Sequence, residues 1–191
     1  MKTVLSTLML VAGLAFFAAP ASADDYADTV KIFKNAGESS GFFKNSYGYA
    51  VFPTVGKAGL GVGAAHGSGR VYVQGKHVGD VKLNQLSVGA QAGGQAFSQI
   101  VFFQDKRAFD DFASGNFEFD ATVQAVAITA SATASTATSG NNASAAGGKN
   151  DASTAGQYKK GLAVFTVAKG GLMYQAAVGG QKFKYKALGA K

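Results

Sequence analysis

Lys82-Leu83-Asn84-Gln85-Leu86-Ser87-Val88-Gly89-Ala90-Gln91-Ala92-Gly93-Gly94-Gln95-Ala96-Phe97-Ser98-Gln99-Ile100-Val101-Phe102 changes polarity at nearly every second residue. Leu86, Val88, Ala90, Ala92, Ala96, Ile100 and Phe102 take even positions, and Gln85, Ser87, Gln91, Gln95 and Gln99 take odd ones. Side chains on a strand alternate between its faces, so the stretch predicts long antiparallel strand with the apolar, even face buried. Gly93-Gly94 leaves the phase intact, which favours a bend within one strand over a turn between two.

The same period begins at Tyr47 and returns later, where Phe117, Phe119, Ala121 and Val123 oppose Glu118, Asp120, Thr122 and Gln124. Between these strands, Asp105 to Ser114 reads as a short helix with Ala108, Phe109 and Phe112 on its core face and Gly115 to end it. Asp25 to Ala36 reads as another, capped by Asp24 or Asp25, striped by Tyr26, Val30 and Phe33, and stopped at Gly37. Such a stripe usually packs on its own domain, and the pattern also suits a membrane interface.

An internal echo links the two ends of the chain. Ala50-Val51-Phe52-Pro53-Thr54-Val55-Gly56-Lys57-Ala58-Gly59-Leu60, less Pro53, aligns with Ala163-Val164-Phe165-Thr166-Val167-Ala168-Lys169-Gly170-Gly171-Leu172. Each copy reads as strand, Lys-Gly turn, strand. The expected fold is therefore mainly β with some α: an antiparallel, barrel-like or sandwich sheet, an N-terminal helix and one short internal helix. Thr129 to Gly156 is nearly all Ala, Ser, Thr, Gly and Asn and reads as a low-complexity loop.

Composition narrows the chemistry. The 191 residues contain no Cys, which excludes disulfides, zinc-thiolate sites and thiol catalysis, while 47% hydrophobic residues suffice for one core. Met1-Lys2, the apolar run Val4 to Ala19, Pro20 and the small-residue site Ala21-Ser22-Ala23 have the layout of a secretory signal peptide cut after Ala23. No Cys follows for lipid attachment. The expected mature protein is one domain, residues 24–191, basic by about six charges and exported to the periplasm, the cell envelope or beyond.

Catalytic patterns are sparse. His66 and His77 sit in glycine-rich, turn-like contexts, and His66-Gly67-Ser68-Gly69 lacks the G-x-S-x-G frame of a nucleophile turn. Asp80 follows His77 by three residues, which a regular strand would place on the opposite face. Gly59-x-Gly61-x-Gly63 fails the dinucleotide fingerprint; its period instead gives a strand one face without side chains, open to close approach. Neither an enzyme nor a cofactor is expected. With only Arg70 and Arg107 as arginines, and no aromatic RNA-binding motif, no nucleic-acid partner is expected either.

The lysines carry more. Lys182, Lys184 and Lys186 alternate with Phe183 and Tyr185, so three ammonium groups share one face. Lys57 and Lys169 occupy the matching positions of the echo. A lysine stripe keeps a strand face solvated, and it also suits anionic headgroups. The candidate headgroup ligands are Lys182, Lys184, Lys186, Lys169, Lys57 and Arg70. The candidate apolar membrane contacts are Tyr26, Val30, Phe33, Phe42 and Phe43.

Several stretches in order resemble one family. Tyr47-Gly48-Tyr49-Ala50-Val51-Phe52-Pro53 leads into Gly56-Lys57-Ala58-Gly59-Leu60-Gly61-Val62-Gly63, then Gly67-Ser68-Gly69-Arg70-Val71-Tyr72 and Val88-Gly89-Ala90-Gln91-Ala92-Gly93-Gly94-Gln95. Together they resemble the SYLF domain, a lipid-binding module also found in yeast actin-patch proteins and plant FYVE proteins. Phe102-Phe103-Gln104-Asp105-Lys106-Arg107-Ala108 and Gly170-Gly171-Leu172-Met173-Tyr174 resemble its bacterial branch. The resemblance spans Gly41 to Leu188. It implies non-catalytic binding of acidic phospholipids, phosphoinositides in the eukaryotic members, through basic residues and often an amphipathic N-terminal segment. The chain carries no SH3 or FYVE partner domain, so actin binding is not expected of this exported protein. A different reading makes it an envelope interaction protein or antigen that works through the Ala/Ser/Thr-rich loop.

Overall fold

A computed structural model describes residues 22–114, 118–119, 126–128 and 157–189. Most of the expected leader and the whole low-complexity loop at 129–156 lie outside them. The elements run α1 (Ala23–Asn35), α2 (Gly37–Ser40), α3 (Phe42–Asn45), β1 (Gly48–Val73), β2 (Lys76–Phe103), α4 (Lys106–Ala113), β3 (Glu118–Phe119), β4 (Val126–Ile128) and β5 (Leu162–Ala187). The chain is mainly β, as expected. β1 and β2 form one long hairpin around Gln74 and Gly75, both at positive φ, and β5 pairs antiparallel along nearly the whole of β2. The short β3 pairs antiparallel with β5, whereas β4 pairs with it in parallel.

Strands of this length cannot stay flat around a small core. A straight β1 of 26 residues would span about 85 Å. It kinks instead at Gly59–Gly63, where a Cβ on Gly59 would lie 2.5 Å from the Gly63 Cα and Gly61 has φ +70. At that point β1 has one unpaired residue and β2 has three, residues 89–91, between the pairs Leu60↔Ala92 and Val62↔Val88. The unequal count turns the hairpin sharply, as bulges do. β2 remains paired with β5 through the bend, and Gly93, at φ +119, supplies backbone freedom there.

The bend folds the sheet over one of its faces. Val71, Val81, Leu83 and Phe183 from the distal half join Ala50, Phe52, Val101 and Val164 from the proximal half in one buried cluster. Gly67 and Gly69 let β1 approach itself: a Cβ on Gly69 would lie 2.6 Å from the Phe52 ring and 2.8 Å from the Val51 carbonyl. α4 packs against this inner cluster, with Asp105 accepting from the Ala108 amide at 2.8 Å and the Phe112 ring 4.8 Å from Phe103 and 5.2 Å from Phe183. The sheet is folded over but not hydrogen-bonded into a closed barrel.

The outer face of the proximal half is covered by α1 to α3. Tyr26 and Phe33 are buried on Val51, Ile100, Phe102 and Phe165. Ser22 caps α1 through a reciprocal pair with Asp25, so the cap lies upstream of the expected Asp24 or Asp25. Gly37 opens the one-turn α2 rather than merely ending α1.

Three further expectations change. First, the phase of residues 82–88 is inverted: Leu86 and Val88 are 70% and 66% exposed, while Leu83 and Ser87 are buried. Near residue 100 both faces are buried, because the helices cover one and the folded sheet covers the other. Second, the echoed segments are not hairpins. Each lies within one continuous strand, β1 or β5, on either side of β2. Third, the pairing offsets the copies by one residue: Ala50 and Val164 both lie opposite Val101. A one-residue offset exchanges faces, so Phe52 points into the fold and Phe165 toward the helices.

Candidate functional site

On the outer face of the distal half, cross-strand pairing sets out a small lattice. Its rows are His66–Asn84–Lys182, Ser68–Lys82–Lys184 and Arg70–Asp80–Lys186. All except the half-buried Arg70 are exposed. The structure thus brings Lys182, Lys184 and Lys186 together as expected and adds Lys82, which the inverted phase hides from a reading of the sequence. Lys82 and Lys184 are direct cross-strand partners, so their Cβ atoms lie about 4.5–5.5 Å apart. Like charges in that relation are destabilising. Among the residues whose side chains are described none of these four lysines forms an ion pair, and Glu118 of β3 stands opposite Lys182 in the register.

The other expected headgroup ligands are engaged elsewhere. Arg70 lies over the Tyr26 ring, 4.3 Å from its centroid, and holds α1 to the sheet. Lys169 is a bulged residue of β5 whose Nζ donates to the Pro53 carbonyl at 3.2 Å and to Thr54 Oγ1 at 3.1 Å. Ser98 Oγ donates to the same carbonyl at 2.7 Å, so the bulge at Pro53 is tied from two sides. Lys57 faces inward and is only 6% exposed, and burial lowers its pKa. The echoed lysines do not form one patch.

Of the expected membrane-contacting residues two are core and three, Val30, Phe42 and Phe43, are half-buried against that core. Tyr26 and Phe33 are buried, and Val30 packs on the same cluster. Phe42 lies 5.0 Å from Phe165, and Phe43 lies 4.9 Å from Phe102. Beside them Lys34 and Lys44 border a cleft of about 620 Å³ lined by Phe43 and Tyr49.

The histidines lie in strands rather than turns. His66 Nδ1 meets Asn84 Oδ1 at 2.9 Å across β1 and β2. His77 Nε2 lies 3.1 Å from Asp80 Oδ1, because the register shift beside Val71 and Tyr72 breaks the simple alternation that would separate them. Among the described residues no group of three or more metal-binding side chains converges, and no helix is long and apolar enough to cross a membrane.

Apart from Ile32 on α1 and Leu188 after β5, the exposed large apolar residues among the described ones gather at the bend. Leu60 is 84% exposed and Val62 62%, and with Leu86 and Val88 they stand beside the lysine lattice on the same outer face. Alternation alone puts Leu86 and Val88 in the core. Gly59 and Gly63, which flank Leu60 and Val62, mark the inner side, since a Cβ on Gly59 would lie 2.5 Å from the Gly63 Cα, whereas Gly61 at the bulge is exposed. Searched against models of protein families and against curated proteins, the chain matches none.

Proposed function

We propose that the chain is an exported, non-catalytic module that binds anionic phospholipid surfaces, in keeping with its resemblance to the SYLF domain. The observation that carries the reading is the quartet Lys82, Lys182, Lys184 and Lys186 on one exposed sheet face, with Lys82 and Lys184 directly opposed. A like-charge neighbour pair costs stability in the free protein, and an anionic surface relieves that repulsion. Each Lys held near such a surface adds about 1 kcal/mol. Lys57, Lys169 and Arg70 serve the fold in this reading, not the headgroups.

Co-sedimentation with vesicles tests it. The protein should pellet with equimolar phosphatidylglycerol and phosphatidylcholine and remain in solution with phosphatidylcholine alone. Changing all four lysines to Gln should weaken binding by two to three orders of magnitude, at about 1 kcal/mol for each. Equal binding to neutral vesicles, or an undiminished quadruple variant, would refute the proposal.

A further inference from the structure

Around the bend, the folded sheet reverses the usual distribution of polarity. Leu60, Val62, Leu86 and Val88 point outward and are more than half exposed. Inside, Gln181 donates to Gln85 Oε1 at 3.2 Å and also pairs with Gln99, at 3.1 Å through the Gln99 amide. Gln99 is fully buried, as are Ser87 at 1% and Lys57 at 6% exposure. Gln181 thereby joins two parts of β2 that lie fourteen residues apart in sequence. Apolar outside and polar inside is the alternation of strands that face hydrocarbon. In water it leaves four branched aliphatic side chains adjacent and uncovered, and a contiguous apolar patch of this kind marks an interaction surface.

Charge identifies the occupant. Lys182 begins one cross-strand row beyond Leu86, and Lys82 with Lys184 follows in the next. At about 3.3 Å per residue, these rows stand about 7 and 13 Å from the Leu86 row. That spacing suits a headgroup layer beside shallowly buried apolar side chains, which enter about 5–10 Å. A second copy docked through the same patch would instead bring the two lysine lattices together.

We infer that the bend of the sheet is a membrane-inserting tip: Leu60, Val62, Leu86 and Val88 enter the acyl region of an anionic bilayer while the neighbouring lysines hold its phosphates. This rests on the lipid-binding reading and locates the part that penetrates. The α1 stripe, buried on the sheet, does not insert.

The chain has no Trp, so a single Leu86→Trp substitution gives a clean reporter at an exposed site. On adding phosphatidylglycerol-containing vesicles, its emission should shift to the blue, and lipids spin-labelled on the acyl chain should quench it. Ile32→Trp, on the solvent side of α1, should show neither effect. A Val62→Thr/Leu86→Thr/Val88→Thr variant should bind these vesicles at least tenfold more weakly with its thermal transition retained. If the Leu86→Trp protein pellets with vesicles but its emission stays unshifted, the tip does not insert, and lipid binding through lysines alone stands. If no vesicle pellets it, both readings fall. Emission already blue-shifted without lipid would show the patch covered by the protein itself or a second copy, and would also overturn the inference.

Discussion

Tyr49 and Lys57 lie eight residues apart on β1, and burial favours the neutral form of both. For Tyr49, burial and then the neighbouring Tyr72, its ring stacked at 5.3 Å, push the phenol up to about 12 from an ordinary 10.0. Its contribution to stability is therefore full below pH 10 and drains away as the pH rises toward 12. Ultraviolet titration should find a late tyrosinate, and Tyr49→Phe should make the loss of stability across that window shallower. For Lys57 the direction reverses. Burial lowers its pKa, so the cost of the charged form is greatest at neutral pH and is relieved as the pH climbs toward 10.5. Lys57→Met should raise the melting temperature at neutral pH, with the gain shrinking as the solution becomes alkaline. A lower melting temperature at neutral pH would mean that the ammonium's interactions outweigh its desolvation.

The bend and the crossing of β1 over itself depend on glycines at particular places. Gly69→Ala would drive a methyl against the Phe52 ring and the Val51 carbonyl, and overpacking of that kind costs about 1–3 kcal/mol. Gly61→Ala meets no atom within 4 Å, but it forces φ +70 on a residue with a side chain, for about 1 kcal/mol. Gly56→Ala, with open space and no positive φ, should leave stability nearly unchanged. Denaturant midpoints that failed to rank the three in this order would contradict the self-crossing. These elements also mark what the sequence could convey. The alternation at 82–102 reveals one long strand that runs through Gly93-Gly94 without a turn, although the bend lies at residues 89–91, and the α4 cap and core face are readable from Asp105, Ala108 and Phe112. Alternation separates two faces without saying which is inside. Here the inside face depends on where a strand of 28 residues folds over and where helices cover it. That is long-range information, so Leu86 reads as core and Lys82 does not stand out. The same limit affects the echo, where one residue of offset sends Lys57 inward and Lys169 outward.

At the scale of the molecule, the two halves of the sheet's outer face have different environments: one is covered by α1 to α3, and the other carries the lysine lattice and the apolar tip. If both lipid-facing features act, they respond to salt differently. Screening between charges shortens from about 10 Å at 0.1 M to about 3 Å at 1 M, whereas apolar burial is not screened. Binding of the unmodified protein to phosphatidylglycerol vesicles should therefore fall steeply over that range and level off at a remainder supplied by the tip. The four-lysine variant should start low and change little with salt. The tip variant with three threonines should keep the steep dependence but fall well below the unmodified protein at high salt, because Leu60 alone remains of the apolar contact. Equilibrium binding of the three proteins across one salt series separates the contributions. If the tip variant and the unmodified protein converge at high salt, the lysines alone account for the interaction, and the exposed aliphatic side chains need another explanation.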